Sequence, residues 1–367
     1  MIGQSPSTSF SGKSEIGVGW LRFTCDVDDY GTIVKYLLDY FNCGLIDRRK
    51  GWNGYLQSLT GAYSIIVALT PRLTQQQRDE LGIKKSPNEG YLTCDIPQAA
   101  LDALPSEKLM SFWLDLFAIE KLKLTRIDLY LDDYSKRIAP SEVKRQVLAR
   151  EVACPRYQTM KSYEQFTLGN LKSNGETVYF GSPQSNKQIR YYDKEAESGG
   201  EKKCYRLEGQ FSADKAESIY NWFAQEFGYV LDTHSHAEAA AAIAQLYKRV
   251  LLASIDFRDV RRFPPDQRLP DNWAARSPRA DWYDFLIGQI EKAVLVTNRV
   301  APSLSRTVKW LRSQVMPALA LVRQVYRNWS LPWNQWVTRE MEDAEKRWGD
   351  RHYLMLLDAK MRSPAWT

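Results

Sequence analysis

The segment Lys123–Asp133 reads Lys-Leu-Thr-Arg-Ile-Asp-Leu-Tyr-Leu-Asp-Asp, and its strict alternation constrains the fold more than any other stretch. Successive side chains of a strand point to opposite faces. Thr125, Ile127, Leu129 and Leu131 therefore share a face suited to a core, and Arg126, Asp128, Tyr130 and Asp132 share the other. Lys187–Lys194 divides likewise, with Ile189, Tyr191 and Asp193 against Gln188, Arg190, Tyr192 and Lys194. In Cys204–Phe211, Tyr205, Leu207, Gly209 and Phe211 oppose Arg206, Glu208 and Gln210. Strands of this kind belong to an antiparallel sheet covered on one side.

A charged strand face is ordinarily a solvated one. These three are set apart by what they hold together, which includes three carboxylates, three guanidinium groups, an ammonium and the Tyr192 phenol. On one sheet that is an inventory for phosphoryl transfer. Asp128, Glu208 and Asp132 suit a hard divalent cation, Mg²⁺ or Mn²⁺, which takes oxygen ligands. Such an ion would polarise a phosphodiester, and the Tyr192 phenol would attack phosphorus to form a covalent intermediate. A free phenol titrates near pH ~10, so it needs a cationic setting to attack at neutral pH. Arg190 and Lys194, on the same face as Tyr192, are expected to supply it. Arg126 and Arg206 are expected to meet DNA phosphates. Tyr191 points with Ile189 to the apolar side, which singles out Tyr192 as nucleophile.

Thr125-Arg126-Ile127-Asp128-Leu129-Tyr130-Leu131-Asp132-Asp133 resembles the "TRIDLAIDD" strand of the replication initiators of Gram-positive rolling-circle plasmids, the Rep_trans or replication initiation factor family. Thr177–Ser182, Ser185 and Ile189–Lys194 resemble the family's "tvYiGSxxSxxxiRiYdK" segment, and Tyr205-Arg206-Leu207-Glu208 its "xRxE" strand. The resemblance is firm from Thr125 to Phe211, loose upstream to Gly19, and nearly absent beyond residue 260. It implies a DNA endonuclease and strand transferase that nicks a replication origin, keeps the new 5′ end as a phosphotyrosine and leaves a 3′-OH. It places the nucleophile on Tyr192 and the metal carboxylates on Asp128 and Glu208, with Asp132 third. It also implies a homodimer and a host helicase as partners. Two other readings keep the same residues. One is a relaxase or transposase-like strand transferase of a phage or integrative element. The other is a DNA-binding replication control protein that does not cut.

The rest of the chain fits an α+β protein with an antiparallel-sheet catalytic domain (1–260) and a mainly helical, basic DNA-binding domain (261–367). Gly19–Val27, Tyr55–Leu59 and Ala62–Leu69 read as strands, and Asp29–Phe41, Ala99–Ala103 and Ser106–Phe117 as helices. Thr177–Lys194 reads as a hairpin turning at Ser182–Asn186. Asp214–Phe227 and the Ala-rich Ala237–Ala253 read as helices. The five cysteines are odd in number and widely spaced, which points to a reducing cytoplasm rather than a disulfide framework. No apolar run reaches the ~18 residues of a membrane span, and the polar Met1–Lys13 lacks a signal peptide's apolar core.

The net charge is +6 and unevenly placed. From Ala241 onward there are 21 Lys and Arg against 13 Asp and Glu. Between Glu291 and Glu340 no acid occurs, while Arg299, Arg306, Lys309, Arg312, Arg323 and Arg327 are among eight basic residues. The spacings 306/309/312 and 323/327 put each set on one helix face, as phosphate contacts require. The interleaved Trp310, Trp329, Trp333 and Trp336 read as packing residues of the helical bundle. His234-Ser235-His236 reads as a helix entry rather than a metal motif, because Ser separates the histidines and an Ala-rich helix follows. No GxxxxGK[ST] phosphate loop is present.

Overall fold

The computed structural model describes residues 14–157, 159–167, 172–182, 184–233, 236–264, 266–288, 311 and 315–347. The chain forms two compact units, Met1–Thr297 and Asn298–Thr367.

One ten-stranded sheet organises the first unit. Its strands are β1 (Ser14–Asp26), β2 (Ile46–Asp47), β3 (Gln57–Thr60), β4 (Ile66–Thr70), β5 (Tyr91–Pro97) and β6 (Lys123–Asp133). After β7 (Val152–Ala153) come β8 (Met160–Thr167), β9 (Lys172–Phe180), β10 (Lys187–Asp193), β11 (Tyr205–Ser212) and β12 (Arg258–Asp259). The spatial order is β2-β3-β4-β5-β1-β6-β11-β10-β9-β8, with β7 and β12 paired separately. Every pairing is antiparallel.

Alternation decides which face is covered. Ile127, Leu129, Leu131, Leu207, Phe211, Ile189, Tyr191, Val178 and Phe180 all point one way and are buried. Each such side chain contributes roughly 1.5–3 kcal/mol on burial. Helices Ala213–Thr233 and His236–Ser254 lie on this face. Trp113 of helix Ser106–Phe117 meets Phe223 and Phe227 with ring centroids 5.7 and 6.0 Å away, and its indole donates to the Tyr247 hydroxyl at 3.0 Å. Helix Tyr30–Phe41 buries Ile33, Leu37 and Phe41, one residue per turn. It stops at Asn42, whose left-handed backbone lets its N–H return to Leu37 and Leu38.

Packing runs on past residue 260, where the sequence suggested a domain boundary. Phe257 meets Phe180 edge to face at 5.2 Å, and Trp282 of helix Asp281–Ile287 meets Phe257 at 4.9 Å and Tyr191 at 6.1 Å.

One departure from the sequence expectations has a local cause. Thr125 was expected on the core face, but the β1–β6 register shifts between Arg22 and Phe23, and Leu124 takes the core position. An extra residue in one strand flips the alternation there, and Thr125 donates its hydroxyl to the Arg22 carbonyl at 3.1 Å. The helices expected at Ala99–Ala103 and Ser106–Phe117 stand at Gln98–Asp102 and Ser106–Phe117, but the central strand β5 that runs into the first of them was not read from the sequence.

In the second unit, helices Met316–Asn328 and Trp333–Glu345 are joined by a short turn. Tyr326, Trp333 and Trp336 pack with centroids 5.1–5.7 Å apart. Trp329 does not share that packing and is 72% exposed. Arg323 and Arg327 are exposed on the first of these helices. Arg299, Arg306, Lys309, Trp310 and Arg312, and most of the His234-Ser235-His236 segment, lie outside the described residues.

Gly209 lies on the covered face of β11, where a Cβ would stand 2.8 Å from the Phe211 ring and 3.0 Å from Leu251. Helix His236–Ser254 therefore seats directly on a strand that lacks a side chain there. Gly209→Val should overpack this contact and cost about 1–3 kcal/mol, seen as a lower urea midpoint at unchanged m-value. An unchanged midpoint would show that the helix does not sit so close.

Candidate active site

The opposite face of the sheet carries the polar halves of all three strands read from the sequence, and Asp128, Tyr130, Asp132, Tyr192, Arg206 and Glu208 are buried within it. β11 lies between β6 and β10, and its register fixes the neighbours. Arg206 stands opposite both Asp132 and Tyr192, Glu208 opposite both Tyr130 and Arg190, and Gln210 opposite Asp128. Asp128 and Glu208 are thus diagonal neighbours on adjacent strands, a relation that keeps long side chains within reach.

The charges on this face hold one another. Arg126 grips Asp128 through Nε at 2.9 Å and Nη2 at 2.6 Å. Glu208 accepts from Arg190 Nη2 at 2.5 Å on one oxygen and from the Tyr192 hydroxyl at 2.8 Å on the other. Arg206 binds Asp132 through Nε at 2.6 Å and Nη2 at 2.7 Å, gives Nη1 to Gln98 at 2.8 Å, and lies 3.9 Å from the Tyr130 ring centroid. These bidentate pairs stand where charges left unpaired would be costly. Arg190 Nε is buried and has no acceptor among the described residues.

Tyr191 and Tyr192 go to opposite sides. The Tyr191 hydroxyl donates to the Ile138 carbonyl at 2.9 Å, and its ring lies among Trp282 and Tyr205. Tyr192 is on the polar face, with the Arg190 guanidinium 5.0 Å from its ring centroid. Its titration differs from the expectation: burial, with the Glu208 charge next, pushes the phenol above its ordinary value, and Arg206 and Arg190 offset only part of that. Lys194 caps no charge here. It begins a helical turn, Lys194–Glu197, and its ammonium pairs with Glu197, 5.9 Å from the Tyr192 ring centroid.

Burial raises Asp128 from the ordinary carboxylate range to about 6, with the Glu208 charge adding to it and Arg126 opposing it. Two crowded carboxylates, one reluctant to ionise, are a donor set that a hard cation would relieve. Magnesium characteristically takes one or two carboxylates and completes its shell with water and substrate phosphate. Asp128 and Glu208 fit that demand. Asp132 is placed otherwise: it is 0% exposed and both its oxygens are committed to Arg206. Arg206, expected at DNA, is itself only 1% exposed. Among the described residues no group of three or more His, Cys, Asp or Glu is arranged to hold a metal.

The sequence reading missed the part of this face that β1 and β5 build. Trp20 donates its indole N–H to Asp95 at 2.8 Å, Arg22 pairs with the same oxygen, and the Arg126 guanidinium lies 4.6 Å from the Trp20 ring centroid. The signal was present, since Trp20, Arg22 and Thr24 alternate with the buried Leu21, Phe23 and Cys25.

The model of Rep_trans, the replication initiation factor family, matches residues 122–330, more than half of the chain. The chain belongs to this family. The match takes in β6, β10 and β11, and so every candidate residue of the site. A solved structure of the rolling circle replication initiator protein from Geobacillus stearothermophilus is also similar, at 18% identity and a TM-score of 0.51. It covers 77% of this chain and 100% of that one, and at such identity the likeness is one of fold. No curated protein matches the chain. Among the described residues no helix is long and apolar enough to cross a membrane.

Two outcomes follow for the buried charges. Arg206→Ala leaves Asp132 buried and unpaired, and should cost about 3–5 kcal/mol, whereas Arg206→Met with Asp132→Leu should recover most of that loss in urea unfolding. An Arg206→Ala variant as stable as wild type would contradict the pairing. Asp128 has a folded-state pKa above its unfolded one, so the stability it contributes is present below about pH 4 and is lost as pH rises through about 6. In metal-free buffer, the stability of wild type relative to Asp128→Asn should therefore fall between pH 4 and 6.5 and then level off. A difference flat across that window would place Asp128 in an ordinary solvated setting.

Proposed function

We propose that this replication initiation factor nicks one strand of a rolling-circle origin with Tyr192 and remains on the new 5′ end through a phosphotyrosine. The observation that carries this reading is the Tyr192 phenol, turned to the polar face and hydrogen-bonded to Glu208 beside Arg190, while its neighbour Tyr191 is spent in the core. Glu208 can accept the phenol proton. The phenolate oxygen then bonds to phosphorus as the P–O3′ bond breaks, and the departing 3′-oxygen takes up a proton to become the 3′-OH. Arg190 and Arg126 stand where they can meet the charge on the phosphate oxygens, as positioned donors do in phosphoryl transfer.

Asp128 and Glu208 would hold a Mg²⁺ or Mn²⁺ ion, which when bound supplies Lewis-acid polarisation of the scissile phosphate. The guanidinium groups of Arg126 and Arg190, which occupy these carboxylates, would turn to the phosphate. A cation held there would offset the Glu208 charge that raises the Tyr192 phenol, and so would favour its ionisation. Arg323 and Arg327, four apart and exposed, support a role for the C-terminal helices in duplex binding.

The test is nicking of a supercoiled origin plasmid with Mg²⁺ or Mn²⁺. Tyr192→Phe should reduce nicking by at least about a thousandfold, since it removes the nucleophile, while duplex binding stays within about twofold. Tyr191→Phe should still nick, and the DNA–peptide adduct should map to Tyr192. Equal nicking by Tyr192→Phe would overturn the assignment. A wild-type protein that binds duplex but never cuts would favour a control protein instead.

A further inference from the structure

A cleft of about 750 Å³ opens on the same polar face, toward the end of the sheet away from Tyr192 and largely outside the family match. We propose that this cleft binds a single-stranded DNA segment continuous with the strand held at Tyr192. The proposal rests on the polar face being a DNA site and adds to it a substrate-binding surface built by β1 and β5.

Three kinds of group converge there. Lys121 and Lys123 line it, are exposed, and make no ion pair among the described residues. Of the other charged residues on the lining, Arg22 pairs with Asp95, and Asp26 shares Arg72 with Asp28. The lining itself thus holds three basic residues against one acid, as a polyanion requires. Tyr91 forms one wall and is 48% exposed, with Pro87 beside it, so an aromatic face is open for stacking. The side-chain amides of Asn53 and Asn88 also line the cleft and make no hydrogen bond with described residues. Asparagine amides can pair with base edges.

These groups select the single strand. A stacking ring and edge-reading amides serve unpaired bases, whereas a duplex hides base faces in its stack. Asn53 and Lys121 both hold left-handed backbone (φ 51° and 62°) at the rim, a conformation that costs side-chain-bearing residues energy and clusters at ligand sites.

The cleft is also continuous with the candidate active site. Thr125, on its lining, is three residues from Asp128, about 10 Å along β6. The interval is filled by Arg126 over Trp20 at 4.6 Å, and Arg22 lies 5.1 Å from the Trp52 ring centroid. A strand leaving the Tyr192–Glu208 pair would thus cross arginine and tryptophan before reaching the cleft, which a short single-stranded segment spans.

The experiment uses the full chain as Tyr192→Phe, so that no cleavage intervenes. A fluorescein-labelled single strand of mixed sequence and a duplex hairpin are titrated by anisotropy over a range of salt. Lys121→Glu with Lys123→Glu should weaken single-strand binding by about tenfold or more and reduce the salt slope by about 1.4, the value for two lost contacts to a single strand. Duplex affinity should change by less than about threefold. Tyr91→Ala should weaken single-strand binding roughly tenfold, and a 5-iodouracil strand should cross-link to Tyr91 in the parent. As a charge-matched control, Lys35→Glu with Lys108→Glu changes exposed lysines of helices Tyr30–Phe41 and Ser106–Phe117. It should have little effect. Unchanged single-strand affinity and slope in the cleft variants, equal loss in the control, or equal loss for the hairpin would each overturn the proposal. Loss of nicking chemistry at Tyr192 would be read separately, in the plasmid assay, and leaves this binding result standing.

Discussion

The β6–β11–β10 register is the constraint on which the polar face depends. Because Arg206 lies across from Asp132 and Tyr192, and Glu208 across from Arg190, every charge on the middle strand finds a partner on a neighbouring one. A slip of one residue in β11 would turn Arg206 and Glu208 toward the apolar core and bring Leu207 to the polar face. Burying two unpaired charges is far costlier than moving a leucine, so electrostatics and hydrophobic burial select the same register. The Arg206–Asp132 pair is the deepest part of this arrangement, with both partners at 1% exposure or less.

The same arrangement sets the chemistry. Asp132 is held by a partner that does not leave the protein interior, and it anchors the sheet. Asp128 and Glu208 are held by Arg126 and Arg190, whose side chains are 23% and 34% exposed, so their partners can be exchanged. On the function proposed for this face, that difference would let these two pairs, unlike Arg206–Asp132, open toward a phosphate or a cation. It also bears on Tyr192, which keeps its proton and donates it in a hydrogen bond to Glu208. The phenol is kept neutral by its surroundings, the reverse of what flanking cations alone would do.

Much of this was legible in the chain. The period-two alternation in Lys123–Asp133, Lys187–Lys194 and Cys204–Phe211 assigned Tyr191 to the apolar core and Tyr192 to the polar face, because strand alternation is local and needs no partner. It misplaced Thr125, because a bulge depends on the neighbouring strand and leaves no mark in β6 itself. It overlooked β5, whose seven residues pass into a helix at Gln98 and carry a mixed pattern. The helix at Asp29–Phe41 was found because its apolar residues recur at every turn. Trp329 was expected to pack, but composition cannot say which tryptophan of a helix faces a neighbour.

The sequence by itself determined the antiparallel strands, the side of each that carries charge, and the family resemblance they bear. Only the tertiary structure decided which charges meet. Strand order and register bring together residues as distant as Asp132 and Arg206, and no local pattern encodes that pairing. The structure therefore gave Asp132 to Arg206, Lys194 to Glu197 and Glu208 to Tyr192, and it joined β1 and β5 to the face that bears them. The physical reason is that a strand's alternation is fixed by its own backbone, whereas the partner of a buried charge is fixed by the strand that lies beside it.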